Sequence, residues 1–208
     1  MVVDLDEVLL LREPAWRYAI EEAVAATTGQ RVDASRISAE YRFRPWRHAL
    51  SVILNDAADL PRVEPLCRDI YERSAMKRLL VQDGIGMVLD RFRGEGVEVA
   101  AVSREPHHIA RKQIESTGID RFLAALSARG EGTEDVLLAV EDCLAFMEHE
   151  ISRCALVSPD VQVLRVAEAR GLRCFEAAWG HSASGAFPAF GAPHELLTLL
   201  DSPGGVIG

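Results

Sequence analysis

Two aspartates, Asp4 and Asp6, stand one residue apart at the end of an apolar N-terminal segment. Carboxylates at this spacing on an extended chain point the same way and repel each other, unless a cation or a proton lies between them. A metal-assisted site uses that arrangement, with Asp4 as nucleophile or ligand of a hard cation and Asp6 as general acid and base. The alternative interpretation is two solvated carboxylates in a loop, and the pair alone does not exclude it.

Further polar side chains follow the later apolar segments. Ser103 comes after the segment 97–102, where its hydroxyl suits a phosphate oxygen or, alternatively, caps the next helix. Arg129 offers a cation after the third segment. Asp160 follows the fourth segment, where it is either a metal ligand or a residue of the first helical turn, favoured there by the helix dipole.

The elements that must position these residues alternate after residue 84. Apolar runs predict strands, and amphipathic segments between them predict helices; the strands fall at 97–102, 122–126, 154–157 and 172–175. Helical periodicity alone fills most of the stretch before residue 80, at 14–28, 46–58 and 63–80. We therefore expect a three-layer, doubly wound parallel sheet formed by residues 1–10 and 81–208, with 11–80 as an inserted all-helical cap. Ligands of such sheets bind beyond the carboxyl ends of the strands.

This order resembles the haloacid dehalogenase-like (HAD) hydrolase superfamily, in the group with a helical cap inserted after the first motif. The features in common are D-x-D after the first strand, the helical insertion, and Ser103 after the second strand. The resemblance implies that Asp4 forms a phospho-aspartate, that Asp6 protonates the leaving group and then activates water, and that Ser103 holds the phosphoryl group. It also implies Mg²⁺, held by Asp4, the Asp6 carbonyl and a carboxylate of the fourth motif, for which Asp160 is the candidate. An aspartate at position 6 favours phosphoryl transfer over dehalogenation.

The sequence departs from the family pattern at three places. Glu7 stands where many members have glycine. No lysine occurs in 127–134, so Arg129 is the candidate cation there and Lys112, placed within a helix, is the more distant one. In the fourth motif the carboxylate of Asp160 comes one residue late. Because Mg²⁺ demands near-octahedral geometry, this displacement is expected to weaken metal binding.

A basic and aromatic cluster lies within the expected cap, at residues 41–48. Arg44, Trp46 and Arg47 are candidate substrate-binding residues, since guanidinium groups bind anions and stack on rings. The alternative is that the arginines cover the apolar surface of the cap with their aliphatic stems. Both interpretations stay open.

Composition narrows the range of partners. The chain has 208 residues, and its 32 acidic and 23 basic residues give a net charge of -9, which argues against nucleic acid as a partner. No apolar run reaches about 18 residues, so no membrane span is expected. The four cysteines form no C-x-x-C pair, which is typical of reduced thiols in the cytosol.

The sequence therefore predicts a cytoplasmic, Mg²⁺-dependent phosphatase of the HAD-like type, acting on a small phosphorylated metabolite. Two alternatives remain open. One is a binding or regulatory protein that keeps the fold and has lost efficient catalysis, as the altered third and fourth motifs suggest. The other is a hydrolase of a different substrate class that uses Asp4 as its nucleophile. Neither the substrate nor the oligomeric state follows from the sequence.

Overall fold

The computed structural model describes residues 1–41, 46–54 and 57–200. The chain forms two compact units. The first, here called the α/β unit, combines Met1–Leu11 with Val81–Gly208, and the second, the helical unit, is Arg12–Leu80. The sequence prediction placed the first boundary after residue 10.

Short strands and longer helices follow each other along the chain. The strands are β1 (Val2–Asp4), β2 (Leu10–Leu11), β3 (Leu80–Val81), β4 (Ala100–Ser103), β5 (Ala125–Ala128), β6 (Ala155–Ser158), β7 (Arg173–Ala177) and β8 (Ala189–Phe190). The helices are α1 (Glu13–Thr28), α2 (Ala34–Tyr41), α3 (Trp46–Ile53), α4 (Leu60–Arg73), α5 (Ile85–Gly94), α6 (His107–Thr117), α7 (Thr133–Phe146) and α8 (Val161–Ala169).

Six strands form one parallel sheet in the order β5-β4-β1-β6-β7-β8. The N-terminal strand β1 is therefore central, with β4 on one side and β6 on the other. Asp4 lies opposite Val102 in the register of β1 and β4, and Val3 lies opposite Val157 of β6. The carboxyl ends of the three strands thus meet at one edge of the sheet. Strand β8 falls inside the segment 179–193, which the glycine, alanine, serine and proline content predicts to be a loop.

Helices cover both faces of the sheet, so the predicted three-layer α/β fold is confirmed. Successive strand residues point to opposite faces. Val3 and Ala101 pack with α5 and α6 on one face, whereas Val2 and Val102 pack with α7 and α8 on the other. Strands buried on both faces are apolar throughout, which explains the uninterrupted apolar runs of the sequence.

The helical unit is built around a stack of aromatic rings. Trp16 stacks on Trp46 with ring centroids 4.3 Å apart, and on Tyr71 with centroids 3.7 Å apart. All three side chains are buried. Aromatic pairs of this kind add to the stability that burial of their area provides, so the stack forms the centre of this unit.

The helical unit differs from its prediction at several helix ends. Helix α3 ends at Ile53, and α4 ends at Arg73 with a 3₁₀ turn at Ala75–Arg78 after it. Helix α2 is absent from the prediction because only Ile37 and Tyr41 of its residues are buried, too few to show a period. The sequence predicts no strand between residues 13 and 80, and this is wrong at the last residue of that stretch, since Leu80 begins β3.

The four cysteines, Cys67, Cys143, Cys154 and Cys174, are buried and unpaired by disulfides. Among the residues that the structure describes, no helix is both long and apolar enough to cross a bilayer.

Candidate active site

The structure brings together Asp4, Asp6 and Ser103, three of the residues that the strand-end argument selects. Asp4 ends β1 and Ser103 ends the neighbouring strand β4. The Ser103 hydroxyl lies 3.2 and 3.3 Å from the two carboxylate oxygens of Asp6, to which it donates. The backbone N–H of Asp6 donates to Asp4 Oδ1 over 3.2 Å. All three side chains are buried, so these polar groups satisfy one another away from water.

Backbone groups of the turn after β4 fix the orientation of Asp6 and Ser103. The N–H of Arg104 donates to Asp6 Oδ2 over 3.1 Å. The N–H of Glu105 donates to Ser103 Oγ over 3.1 Å, which leaves the serine hydrogen directed at Asp6. The Asp6 carboxylate therefore accepts hydrogen bonds from a hydroxyl and from an amide, and these two donors fix its orientation.

Arg104 is a site residue that sequence reasoning missed. Its Nη1 donates to Asp4 Oδ2 over 3.1 Å, and its Nη2 donates to Asp160 Oδ2 over 2.8 Å. One guanidinium thus joins a carboxylate of β1 to a carboxylate that follows β6. An arginine directly after Ser103 is visible in the sequence, but an arginine in a turn is most often solvated, and nothing local shows its partners.

Ser158 is the second residue that sequence reasoning missed. This last residue of β6 donates its hydroxyl hydrogen to Asp4 Oδ2 over 3.0 Å and accepts from the N–H of Asp160 over 3.1 Å. The available signal was its position, since it ends the strand next to β1 just as Ser103 does on the other side. Asp4 is therefore held from both neighbouring strands.

Asp160 lies at the start of helix α8, close to the place that one of the two sequence interpretations gave it, and its role as a metal ligand stays a prediction. Its Oδ1 caps α8 by accepting from the N–H groups of Gln162, at 2.9 Å, and Val163, at 3.3 Å. Its Oδ2 is the oxygen that binds Arg104. The cap fixes the carboxylate, and the second oxygen consequently faces the site.

Burial has the largest effect on the pKa of the Asp4 carboxyl. Loss of water raises the pKa of the Asp4 carboxyl above its ordinary value, and the Arg104 guanidinium acts against this. The nearby charge of Asp6 raises the pKa further, while the hydrogen bonds from Ser158 and from the Asp6 amide lower it. A nucleophilic carboxylate must be ionised, so Arg104 and Ser158 favour its reactive form.

The two candidates for the cation of the third motif, Arg129 and Lys112, make other contacts or lie exposed elsewhere in the α/β unit. Arg129 follows β5 and binds Asp142 of α7 through two nitrogens, at 2.5 and 2.6 Å. Its side chain is 51% exposed. Lys112 is exposed on α6. The catalytic role of Arg129 stays a prediction, and the contacts described here give the guanidinium a structural partner in Asp142.

The candidate substrate-binding residues of the helical unit are only partly described. Arg44 lies outside the described residues. Trp46 is buried in the aromatic stack with Trp16. Arg47 lies over the ring of Trp46, 5.3 Å from its centroid, and its Nε donates to Glu64 over 2.7 Å. Substrate binding by these residues stays a prediction, as does the alternative in which the arginines cover apolar surface.

The residues as arranged do not fit a magnesium ion. A divalent cation would need oxygens of Asp4 and Asp160, and the oxygens that face each other are bridged by the Arg104 guanidinium. The other Asp160 oxygen caps a helix. In the described part of the chain, no group of three or more His, Cys, Asp or Glu side chains is arranged to hold a metal ion. Magnesium dependence remains a prediction that this arrangement of donors does not favour.

Solved structures share this fold. A HAD-like family hydrolase from Streptococcus pneumoniae has a TM-score of 0.76 at 12% identity, with 96% of each chain covered. A HAD family hydrolase from Deinococcus radiodurans R1, with bound phosphate and sodium, has a TM-score of 0.74 at 17% identity, with 99% of this chain and 96% of that one covered. Protein tyrosine kinase A from Mycobacterium tuberculosis has a TM-score of 0.77 at 19% identity, with 97% of each covered. No family model matches the sequence, and neither does any curated protein.

Proposed function

We propose that the chain, which has the HAD-like fold of its structural neighbours, is a hydrolase of small phosphomonoesters that uses Asp4 as its nucleophile. The observation that carries the proposal is the buried Asp4 carboxylate at the end of the central strand, with Asp6 held beside it by Ser103 and by the Arg104 amide. The fold alone would not support this, because one fold hosts many activities.

In the first step of the proposed reaction, Asp4 attacks the phosphorus of the substrate. Its Oδ2 accepts from Arg104 and Ser158, whereas Oδ1 accepts one hydrogen bond, at 3.2 Å, among the described residues. Oδ1 is therefore the oxygen better able to form the new bond to phosphorus. As the bond from phosphorus to the leaving oxygen breaks, a protonated Asp6 gives its proton to that oxygen.

In the second step a water molecule attacks the phosphorus of the phospho-aspartate, and Asp6 takes the proton that the water loses. The bond between phosphorus and Asp4 breaks, which releases inorganic phosphate and restores both carboxyl groups to their starting states. Arg104 provides positive charge beside the transferring group, the kind of stabilisation on which phosphoryl transfer chiefly depends.

A binding or regulatory role is the second candidate. The observation that favours it is the hydrogen bond and ion pair between Arg104 and Asp4, which engages an oxygen of the candidate nucleophile. One structural neighbour is named as a tyrosine kinase. This is a further reason to determine by experiment whether water or another molecule finally accepts the phosphoryl group.

The test is phosphate release by the full chain from an aryl phosphate and a panel of phosphomonoesters. We expect turnover that Asp4→Asn abolishes and that Asp83→Asn, an exposed aspartate of the same unit, leaves unchanged. An aryl leaving group needs no acid, so Asp6→Asn should still form the phospho-enzyme and fail to hydrolyse it. Mass spectrometry should then locate phosphate on Asp4. Absence of turnover and of phospho-enzyme across the panel would favour the binding role.

A further inference from the structure

We propose that Arg104 is the resident cation of this site: its guanidinium occupies the place between Asp4 and Asp160 and keeps a divalent cation out. The corollary, which rests on the proposed function, is that phosphoester hydrolysis by this chain requires no metal. The exclusion of the cation itself does not depend on whether the chain is a phosphatase.

The geometry of the guanidinium carries the inference. Its two terminal nitrogens bind different carboxylates, with Nη1 3.1 Å from Asp4 Oδ2 and Nη2 2.8 Å from Asp160 Oδ2. Mg²⁺ binds oxygens at about 2.0–2.1 Å and requires them to converge on one point. A guanidinium directs hydrogens at these same two oxygens, so the two cations are alternatives.

Both the backbone and the side chain of Arg104 are held in place. Its backbone N–H is bound to Asp6, and its side chain is only 20% exposed. Asp160 is held as the cap of α8, and Asp4 is held by Ser158. A change that moved the guanidinium out would therefore break its contacts to both Asp4 and Asp160.

Charge supports the same conclusion. Asp4 is 1% exposed, and a carboxylate so deeply buried is costly unless a positive group compensates it. An arginine is charged at every pH of interest, and unlike a metal ion it does not dissociate. The chain thus provides within its own sequence the compensation for which a divalent cation would otherwise be needed.

The decisive experiment measures Mg²⁺ binding without reference to turnover. The full chain, stripped with EDTA, is titrated with MgCl₂ by calorimetry, and its melting temperature is followed at millimolar Mg²⁺. We expect no saturable binding by the wild type and saturable binding by Arg104→Ala, which opens the space between the carboxylates, with a Kd at least roughly tenfold below the highest Mg²⁺ concentration tested. The double variant Arg104→Ala with Asp160→Asn should lose that gain. Arg111→Ala removes an exposed arginine of α6 that pairs with Glu115, and this variant should behave as the wild type.

Saturable binding of Mg²⁺ by the wild type, weakened by Asp160→Asn, would overturn the proposal. So would a folded Arg104→Ala that binds no more tightly than the wild type. If Arg104→Ala does not melt cooperatively, Arg104→Gln replaces it, since glutamine removes the charge and keeps hydrogen-bonding groups.

Turnover provides the second readout. EDTA should leave the wild-type rate unchanged, Arg104→Ala should lower it by roughly a hundredfold, and Mg²⁺ should restore part of the loss in that variant alone. A wild type that is active only with Mg²⁺ would overturn the metal-free corollary. A wild type without activity under any condition would contradict the proposed function, while the binding titration would still decide whether Arg104 excludes the cation.

Discussion

Ser158 donates its hydroxyl hydrogen to Asp4 Oδ2 over 3.0 Å, which links the end of β6 to the end of β1. The same oxygen of Ser158 accepts from the N–H of Asp160. One buried hydroxyl thus connects the candidate nucleophile to the segment that carries the second carboxylate bound by Arg104.

Removal of that hydroxyl should cost stability. Ser158→Ala leaves Asp4 without one of its donors and the Asp160 N–H without an acceptor, and a buried polar group without its partner costs about 1–3 kcal/mol. Urea denaturation should show the loss in the free energy of unfolding. Ser74→Ala, at the exposed end of α4, is the control and should stay within about 0.5 kcal/mol of the wild type. Equal effects of the two variants would contradict the role given to Ser158.

Glu7 has a φ of 66°, in the left-handed region that favours glycine. Glu7→Gly and Glu7→Ala both delete the side chain, so their difference isolates the backbone. The left-handed conformation costs a non-glycine residue about 1–2 kcal/mol, and the greater freedom of unfolded glycine offsets roughly 0.4–1 kcal/mol of this. Glu7→Gly should therefore be the more stable variant by roughly 0.5–1 kcal/mol.

The variants Arg91→Gly and Arg91→Ala on helix α5 provide the control for the comparison of glycine with alanine at position 7. At exposed Arg91 the backbone is helical, so alanine should be the more stable replacement by about 1 kcal/mol. If alanine is also favoured at position 7, the left-handed backbone there does not carry the expected strain.

The strand-end residues were predictable because they follow from topology. Asp4, Asp6 and Ser103 stand where apolar runs stop, and adjacent parallel strands must bring such positions together. Glu7 was visible as a departure from the family pattern, and the structure shows that its backbone takes the conformation for which glycine is suited. The places where strands end, and a residue that departs from a family pattern, can both be read from the sequence.

The partners of the arginines were not predictable. Arg104 and Arg129 look alike in sequence, since each follows a strand by one residue. Arg104 reaches past the end of β1 to Asp160, which follows β6, whereas Arg129 reaches Asp142 on α7. Which carboxylate a long side chain meets depends on the packing of distant elements, and no spacing rule expresses it. The expected place of the third-motif lysine therefore selected Arg129, and no such pattern selected Arg104.

The pair of Arg129 and Asp142 should give a pH-dependent contribution to stability. The hydrogen bond from Arg129 lowers the pKa of Asp142 below its ordinary value, with help from Ser127 and against slight burial. The folded-state pKa is thus the lower one, so the stabilisation is complete above the ordinary aspartate pKa of about 3.9 and is lost as pH falls through the folded value.

The measurement compares the free energy of unfolding of the wild type and Asp142→Asn at pH about 7 and about 3. The wild type should be the more stable at the higher pH, by the small amount typical of an exposed pair, and the difference should shrink at the lower pH. Asp83→Asn serves as the exposed control. A difference that does not change with pH would show that the charge of Asp142 contributes nothing.

Trp46 allows the packing role and the substrate-binding role to be separated. Its ring is 4% exposed and stacks on Trp16. Deletion of a buried tryptophan side chain costs about 3–5 kcal/mol, so Trp46→Ala should destabilise the chain by an amount in that range. Trp46→Phe keeps an aromatic ring in the stack and should cost clearly less. Urea denaturation of the two variants gives the comparison.

Arg47→Ala completes the test of this cluster. Arg47 pairs with Glu64 on a surface where its side chain is 38% exposed, so its loss should change stability by no more than about 1 kcal/mol. If the cluster serves packing, KM for the best phosphomonoester should be the same for Arg47→Ala and Trp46→Phe as for the wild type. A raised KM with unchanged stability in either variant would instead place the cluster at the substrate, as the sequence alone allowed.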